Sequence, residues 1–265
     1  MSGVSPWLIL GVAGCLALVM AGAWQVQRIT GNSGWIDAIW SFATGLAGLA
    51  FALSAHAVWW RQCLVAALVV AWAARLALHI AGRSAHGGDD PRYAFLRQEW
   101  GAAAQSRLFV FLQIQAACGF VLAVSVLLAA RNPAPGLRPQ DVAGTLVLIV
   151  GILGEALADG QLARFRADPA NRGRICDAGL WGRSRHPNYF FEWLGWVAYP
   201  LFAVDFAGGA PWGWLAVAGP ALMYWLLVHA SGIPPLEAHM LRSRGDAFRA
   251  YQRRTNAFFP GPRRP

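Results

Sequence analysis

The sequence predicts an all-α, polytopic membrane protein, and three observations lead to that prediction. Hydrophobic residues make up 57% of the 265 residues and charged residues only 13%, whereas a soluble domain carries about 25% charged residues. Apolar runs of about 20 residues recur along the chain, and in lipid such runs must be helical, because a helix satisfies its own backbone groups. Glycine (29 residues) and tryptophan (14 residues) are abundant, which suits close helix packing and interfacial aromatic belts.

Seven stretches are long and apolar enough to be predicted as membrane-spanning helices. They cover residues 6–27, 35–54, 57–81, 107–130, 141–163, 187–208 and 212–236. The first is expected to remain as a span, because no basic segment precedes it as in a signal peptide. The second and third are joined by a very short turn around Ser54–Ala57, so we expect them to form an antiparallel hairpin.

The arginines predict the orientation of these spans, since the chain has 22 basic residues and all are arginine. With the N-terminus outside, eighteen arginines lie in inward segments and three, Arg61, Arg131 and Arg138, in outward ones. This bias places the C-terminus in the cytoplasm. We therefore expect one integral membrane domain, residues 1–265. Two loops and the tail are expected on the cytoplasmic side: about 82–106, 164–186 and 237–265.

The composition also argues against other classes of protein. A net charge of +9 is compatible with nucleic-acid binding, but basic cytoplasmic loops account for it and no RNA-binding motif is present. No nucleic-acid partner is therefore expected. The four cysteines form no CxxC or Cys/His spacing, so neither a disulfide framework nor a metal site is predicted.

Ionisable residues inside apolar spans are costly and commonly face a bundle interior or a cavity. They are Asp37, Arg75, His79, Glu155, Asp159 and Glu192. Arg75 and His79 are four residues apart, as are Glu155 and Asp159, so each pair shares a helical face. Any one of them, taken alone, has an equally good structural interpretation as a cap, a snorkelling charge or a satisfied core group. Together, mostly in cytoplasmic halves of spans, they predict a polar cavity open to the cytoplasm.

Arginines are concentrated in the segment before the sixth predicted span, and they are a second group of candidate site residues. Arg164, Arg166, Arg172 and Arg174 precede it, followed by Arg183 and Arg185. Guanidinium groups bind phosphate through paired hydrogen bonds, so these residues are candidates for holding a phosphate-rich ligand. The competing interpretation is that they only set the topology and contact anionic lipid head groups.

A set of motifs in the C-terminal half matches a known family. The residues are Asp159, Phe165-Arg166, Arg174, Gly179-Leu180-Trp181, Arg185-His186-Pro187-Asn188-Tyr189, Glu192 and Trp196. Supporting matches are Trp35–Phe42, Arg75-Leu76, Asp90-Pro91-Arg92-Tyr93 and the tail from Glu237 to Pro260. With these residues the chain resembles the steroid 5α-reductase family, and most of all the bacterial members of a related branch described as a domain of unknown function.

The resemblance implies a seven-helix fold in a bacterial inner membrane, with NADPH in a cavity open to the cytoplasm. The implied activity is an NADPH-dependent oxidoreductase acting on CH–CH groups. It would reduce the double bond of a lipophilic enone, such as a 3-oxo-Δ4 steroid, by hydride transfer while an acid polarises the ketone. Carried over by position, the cofactor-binding residues are expected to be Asp159, Arg166, Arg174, Asn188, Trp196, Arg83, Arg92, Arg97, Glu237, His239 and Arg254.

Glu192 is the expected catalytic acid at the ketone, with Asp37 or Tyr93 as its helper. A carboxylic acid suits this role, because loss of hydration favours the protonated form, which can donate a hydrogen bond. The steroid-converting members carry an amide where this chain has Glu155, and a tyrosine on the third span for which His79 is a candidate replacement. The substrate therefore stays open between a steroid and another enone lipid.

Two other functions compete with the reductase. Membrane methyltransferases of the isoprenylcysteine type bind S-adenosylmethionine and share the Arg185–Tyr189 motif and the Glu237–Pro260 tail motif. Asn188 with Glu192, together with the segment from Asp159 to Arg166, favours the reductase over them. A transporter or lipid-binding scaffold would also contain intramembrane charges. The two halves of the sequence show no repeat, however, which reduces the support for that hypothesis.

Overall fold

The computed structural model describes residues 4–87, 89–206 and 208–264, and most of them are helical. Among these residues no β-strand is present, apart from an isolated bridge between Ser184 and Asn256. The predicted all-α class is therefore confirmed.

The described residues form nine α-helices. They are α1 (Pro6–Thr30), α2 (Gly34–Leu53), α3 (Trp59–His86), α4 (Pro91–Trp100), α5 (Ala104–Ala130), α6 (Pro139–Ala167), α7 (Pro187–Ala203), α8 (Ala218–Trp225) and α9 (Ile233–Arg254). Short 3₁₀ turns occur at Gly101–Ala103, Pro169–Asn171, Gly179–Gly182 and Pro211–Val217, and a π-helical turn at Leu226–Ala230. Ser5 and Asp90 cap the N-termini of α1 and α4, and a proline follows each cap, where a missing N–H costs nothing.

Six helical stretches of the described chain are long and apolar enough to cross a membrane. They are Pro6–Thr30, Gly34–Leu53, Trp59–His86, Pro91–Ala130, Pro139–Ala167 and Pro211–Arg254. The predicted span 187–208 is not among them. It corresponds to α7, which has 17 residues and contains Pro200 near its end. The prediction of a polytopic helical membrane protein is thus confirmed at the level of six candidate spans.

Helices extend further than the sequence predicted into segments expected to be loops. The expected loop 82–106 contains all of α4, because Asp90 and Pro91 start a new helix there. The expected tail 237–265 contains most of α9, whose Phe248 and Tyr251 are buried.

The predicted span 212–236 also differs from a regular helix. It begins as a 3₁₀ turn, continues as α8 and then forms the π-helical turn. Ser231 and Gly232 interrupt the helix before α9 begins at Ile233. A side chain at Gly232 would place its Cβ 2.5 Å from the carbonyl oxygen of Leu227, so the chain can turn sharply only with glycine there.

Contacts divide the chain into two compact units. The first unit comprises the described residues up to Thr145 together with those from Val197 to Gly219, and the second comprises Leu146–Trp196 and the described residues from Pro220 onwards. Whether the chain is a single membrane domain stays a prediction.

In the first unit, α2 and α3 form the predicted hairpin. A Cβ atom added at Gly45 would lie 2.1 Å from the Cβ of Ala73, and one added at Gly48 would lie 2.9 Å from a methyl group of Val69. These two glycines therefore let the helices approach more closely than any larger residue would allow.

In the second unit, α6 and α7 make a similarly close contact. A Cβ atom at Gly151 would lie 2.9 Å from the backbone nitrogen of Gly195, and one at Gly154 would lie 2.3 Å from the ring of Phe191. The contact holds the polar residues of α6 beside those of α7, which matters for the site below.

The first unit also contains a buried ionic cluster that the sequence analysis did not anticipate. Arg61 and Asp141 are both fully buried and form an ion pair of 2.9 Å. Arg138 binds the same carboxylate at 2.8 Å and donates to the carbonyls of Phe202 and Val204, at the end of α7. Asn132 also donates to the Phe202 carbonyl, at 3.0 Å. We call Arg61, Asn132, Arg138 and Asp141 the Asp141 cluster.

Candidate functional site

In the first unit, Asp37 on α2 and Tyr93 on α4 are in direct contact. The Tyr93 hydroxyl donates to Oδ1 of Asp37 at 2.7 Å, and Nε2 of Gln115 on α5 donates to the Tyr93 oxygen at 3.0 Å. Tyr93 is buried, whereas the Asp37 side chain is 17% exposed. The two expected helpers of catalysis are thus one hydrogen-bonded pair rather than alternatives.

Arg92 ties this pair to the start of α4. Its guanidinium donates to the second oxygen of Asp37 and, at 3.0 Å, to both oxygens of Asp90. Asp90 also accepts the Arg92 backbone N–H at 2.9 Å as the cap of α4, and Nη2 of Arg83 lies 3.2 Å from it. We call Asp37, Asp90, Arg92, Tyr93 and Gln115 the Asp37 cluster.

The charges around Asp90 change its acidity. Burial alone would raise the pKa of Asp90, but the Arg92 guanidinium, its two hydrogen bonds and the charge of Arg83 outweigh burial, so the pKa lies below its ordinary value of 3.8. Asp90 is therefore ionised at neutral pH and holds Arg92 in place against Asp37.

Arg97, another expected cofactor contact, belongs to a neighbouring pair. Its guanidinium binds Asp89 and donates to the Ser33 hydroxyl at 2.7 Å, while the Ser33 N–H donates to Asp89 at 2.8 Å. Arg97 is 24% exposed, so it retains access to solvent while it connects the start of α2 to the α3–α4 connection.

In the second unit, the α6–α7 contact brings together two of the expected cofactor residues. Nδ2 of Asn188 in the first turn of α7 donates to Oδ1 of Asp159 on α6 at 3.2 Å. The pair presents a carboxylate and an amide side by side, which suits a ligand that has hydroxyl and amide groups.

One turn further along α7, Glu192 and Trp196 form a second pair. The indole N–H of Trp196 donates to Oε1 of Glu192 at 2.9 Å. Glu192 is 7% exposed and Trp196 1% exposed, so the acid is buried and is oriented by the indole. A buried carboxyl of this kind can act as a hydrogen-bond donor when it is protonated.

Glu237 on α9 is surrounded by donors from the Arg185–Tyr189 motif. Arg185 binds both of its oxygens, at 2.7 and 3.2 Å, and Nε2 of His186 lies 2.9 Å from Oε1. Gln252 Nε2 donates to Oε2 at 2.7 Å. The expected role of Glu237 was cofactor binding; the contacts also make it the residue that fastens α9 to the start of α7.

His186 in this group is neutral at physiological pH. Burial lowers the pKa of His186, and the hydrogen bond to Glu237 opposes this effect only in part. Its ring stacks on Tyr189, with centroids 5.5 Å apart and planes inclined by 10°. His186 therefore fixes the entry of α7 as a neutral hydrogen-bonding partner.

The remaining expected cofactor residues lie at the surface of the second unit. Arg166 is in the last turn of α6, Arg174 in the following loop and Arg254 at the end of α9, and all three are exposed. His239 is half-buried on α9. Within the described ranges, no hydrogen bond or ion pair joins the side chain of Arg174 or Arg254 to Asp159, Glu192 or Glu237.

Three residues of these clusters were missed as site residues. Asp90 and Arg185 occur in the matched motifs but received no role, although each binds an expected site residue directly. Gln115 is not ionisable, so the rule that ionisable residues inside apolar runs mark a site does not include it. As a strongly polar side chain within the apolar run 107–130, it is nevertheless visible in the sequence.

The helices and clusters define a class of protein: an α-helical, polytopic membrane protein with buried groups of carboxylates, arginines and tyrosine. Residues 23–255 match the family described as Protein of unknown function (DUF1295), and the chain belongs to that family. The family is related to steroid 5-alpha reductase, which confirms the resemblance at this coarser level.

One similar protein has no described activity of its own. It is an uncharacterized protein of Schizosaccharomyces pombe, 25% identical over 272 residues, which cover 89% of this chain and 75% of that protein. No solved structure matches the chain.

Proposed function

We propose that the protein is an NADPH-dependent reductase that reduces the carbon–carbon double bond of a lipophilic enone, either a steroid or another enone lipid. The observation that carries the proposal is the arrangement along α7. Asn188 binds Asp159 of α6, and one turn later the buried Glu192 is held by Trp196. All four are residues to which the related reductase family assigns cofactor or substrate contacts.

The residues present fit a dinucleotide phosphate cofactor in charge and chemistry. The second unit contains thirteen arginines and seven acidic residues, an excess that suits a ligand with several phosphate groups. Arg166, Arg174 and Arg254 would hold phosphates, and Asp159 with Asn188 would hold hydroxyl or amide groups. NADPH, when bound, supplies the hydride.

The roles of the chain's own groups follow from their hydrogen bonds. Glu192 would donate a hydrogen bond to the ketone oxygen, where negative charge develops during reduction. Trp196 keeps the carboxyl in one orientation, which reduces the cost of positioning it. In the first unit, the helper pair consists of Asp37 and Tyr93, and Tyr93 is its hydrogen-bond donor. Asp37 and Gln115 hold the Tyr93 hydroxyl in place.

The proposed topology is that of the related family. α7 would be a seventh, short span, since 17 residues are at the lower limit for crossing the apolar core of a bilayer. The N-terminus would lie outside and the C-terminus in the cytoplasm, as the arginine bias indicates. The membrane would be a bacterial inner membrane, with the active site open to the cytoplasm.

The cofactor is tested by binding to the purified protein in detergent. Saturable binding of NADPH, together with an absence of S-adenosylmethionine binding, is the expected result. Asn188→Ala should weaken NADPH binding about tenfold or more, because it removes a hydrogen-bonding group and the hydrogen bond that orients Asp159. Binding of S-adenosylmethionine alone would disprove the reductase.

The catalytic acid is tested with an accepted enone substrate. Glu192→Gln keeps the size of the side chain but cannot deliver a proton, so we expect the rate of NADPH oxidation to fall about 100-fold or more while NADPH still binds. Glu99→Gln, the same substitution at an exposed position of α4, should keep the wild-type rate. A wild-type rate in Glu192→Gln would remove Glu192 from the mechanism.

The second candidate function is the S-adenosylmethionine-dependent membrane methyltransferase. One observation favours it: the Arg185 and His186 contacts to Glu237 join the two motifs that both families share. Asp159, which Asn188 binds, lies outside those shared motifs, which is why we place the reductase first. The binding experiment above separates the two functions.

A further inference from the structure

An open groove lies on the second unit, between one segment that follows α6 and another that follows α9. It has a volume of about 540 Å³. One wall is the turn that runs from Asp177 to Arg183, and the other is the C-terminal segment from Pro260 to Arg263. None of the cofactor or catalytic residues proposed above lines it.

Backbone hydrogen bonds fix the C-terminal wall in place. The Gly261 N–H donates to the Arg183 carbonyl at 3.0 Å, and the Arg185 N–H donates to the Asn256 carbonyl at 2.8 Å. The Ser184 hydroxyl donates to the Phe258 carbonyl at 2.8 Å. The groove is therefore a built feature of the fold, formed by a segment that is anchored on both sides of the aromatic pair Phe258-Phe259.

The groove has an excess of positive charge. Arg263 donates to the Asp177 carbonyl, and its guanidinium lies 3.4 Å from the Asp177 carboxylate, so these two charges offset one another. The guanidinium of Arg183 is exposed and has no hydrogen bond or ion pair with any residue in the ranges 4–87, 89–206 and 208–264. Among those residues Arg183 thus has no counter-charge, and a second arginine, Arg263, lines the same groove and is half-exposed.

Gly182 leaves room for the Arg263 side chain on one wall of the groove. A Cβ atom at Gly182 would lie 3.0 Å from Nη2 of Arg263 and 2.8 Å from the Asp177 carbonyl oxygen. Any side chain there would push Arg263 away from the wall, so the groove depends on this glycine.

Aromatic side chains next to the groove indicate which environment it faces. Phe259 precedes Pro260 and is 50% exposed. Its ring centroid lies 6.0 Å from that of Phe190, 5.7 Å from that of Trp193 and 6.3 Å from that of Tyr224. Exposed aromatic clusters next to arginines are typical of the level of lipid head groups in membrane proteins.

We propose that this groove binds the phosphate group of an anionic membrane lipid, with Arg183 and Arg263 as the cations. Phe259 and its neighbours Phe190, Trp193 and Tyr224 would then contact the upper part of the acyl chains. Arg183 can donate two parallel hydrogen bonds to a phosphate diester. Arg263, whose Nε and Nη2 already donate to the carbonyls of Gly182 and Asp177, has its Nη1 group left to donate to the same phosphate. The lipid site is independent of the proposed reductase activity.

Native mass spectrometry of the purified protein tests the site. The protein is mixed with phosphatidylglycerol and phosphatidylcholine, and the ratio of the two bound lipids is measured. The wild type should prefer phosphatidylglycerol, and Arg183→Gln and Arg263→Gln should each lower that preference about fivefold. Arg183→Lys keeps the charge and should retain most of the preference.

A matched control separates the groove from general surface charge. Arg249 is an exposed arginine of α9 that pairs with the exposed Asp246, so Arg249→Gln removes the same charge elsewhere on the unit and should bind as the wild type does. An unchanged preference in Arg183→Gln overturns the proposal, as does an equal loss in Arg249→Gln. Competition by inorganic phosphate without any preference between the two lipids would also overturn it, because the groove would then bind a soluble anion.

Discussion

Two polar clusters of the first unit are each built around a carboxylate bound by arginine, and they differ in how far these charged groups are exposed to solvent. In the Asp141 cluster, all five donors of the Arg61 guanidinium are occupied, two by Asp141 and three by the carbonyls of Asn132, Ala134 and Gly136. In the Asp37 cluster, Arg92 and Asp37 remain 20% and 17% exposed.

The difference shows which cluster is suited to binding a ligand. A guanidinium with five partners and no exposure has no donor left for another molecule. Its bonds instead hold the connection between α5 and α6, and Arg138 holds the end of α7. The Asp37 cluster is anchored through Asp90 and Gln115 but keeps Asp37 and Arg92 partly exposed, with the buried Tyr93 hydroxyl bonded to Asp37, as a functional group requires.

The largest effect is expected from breaking the buried ion pair. Asp141→Asn leaves the guanidinium of Arg61 buried without a counter-charge, which typically costs about 3–5 kcal/mol. We expect a loss of unfolding free energy of that size, measured by denaturation in mild detergent at neutral pH. Asp246→Asn removes an exposed carboxylate whose ion pair is weak, and it should leave the unfolding free energy unchanged. Equal stability of the two variants would show that Asp141 is not structural.

A double substitution sharpens the same point. Replacing both Arg61 and Asp141 by apolar residues, as in Arg61→Met with Asp141→Leu, removes the uncompensated charge that the single variant leaves behind. The carbonyls of Asn132, Ala134 and Gly136 still lose a donor and Arg138 still loses the carboxylate that it binds, so we expect recovery of only part of the loss. A double variant less stable than Asp141→Asn would contradict the role given to the unpaired charge.

In the Asp37 cluster the same substitution should affect activity more than stability. Asp37→Asn can still accept the Tyr93 hydroxyl, so the unfolding free energy should fall by only about 1 kcal/mol. It loses the charge that holds Arg92 beside Tyr93, and we expect the reductase rate to fall about 100-fold. Both quantities are measured on one preparation, with Glu99→Gln as the control. A loss of stability like that of Asp141→Asn would mean that the two clusters serve the same purpose.

The helices of this fold could largely be predicted from the sequence, because apolar runs and lipid together leave only one backbone solution. The end of α7 could not. The apolar run 187–208 continues past Ala203, whereas the helix stops there and its last carbonyls accept from Arg138 and Asn132. Those donors lie more than 60 residues earlier in the chain, and no local pattern reveals them.

The candidate site could be predicted residue by residue but not pair by pair. Helical spacing indicates that Asn188 and Glu192 share a face, yet it does not indicate that Asp159 of another helix lies opposite. The arginine bias has the same limit: Arg61 is one of the three arginines assigned to the outward side, although the structure places it in a buried ion pair with Asp141, 80 positions away. Partners across helices follow from packing at glycines such as Gly151, which the composition alone does not specify.

The smallest expected effect concerns pH and Asp90, which anchors the accessible cluster. Because the pKa of Asp90 in the folded protein lies below its ordinary value of 3.8, through Arg92 and Arg83 acting against burial, its ionised form contributes stability. That contribution is fully present above pH 3.8 and is lost as the pH falls through the lower, folded-state pKa.

Two variants separate the charge of Asp90 from its role as a helix cap. Asp90→Asn can still cap α4, so at neutral pH it should lose only the ionic contribution, whereas Asp90→Ala should lose about 1 kcal/mol more. The wild type and Asp90→Asn should converge in unfolding free energy as the pH is lowered below 3.8, measured in an acid-stable detergent. Parallel curves at all pH values would show that the carboxylate is not held ionised by Arg92, and the Asp37 cluster would then lack the fixed guanidinium that distinguishes it.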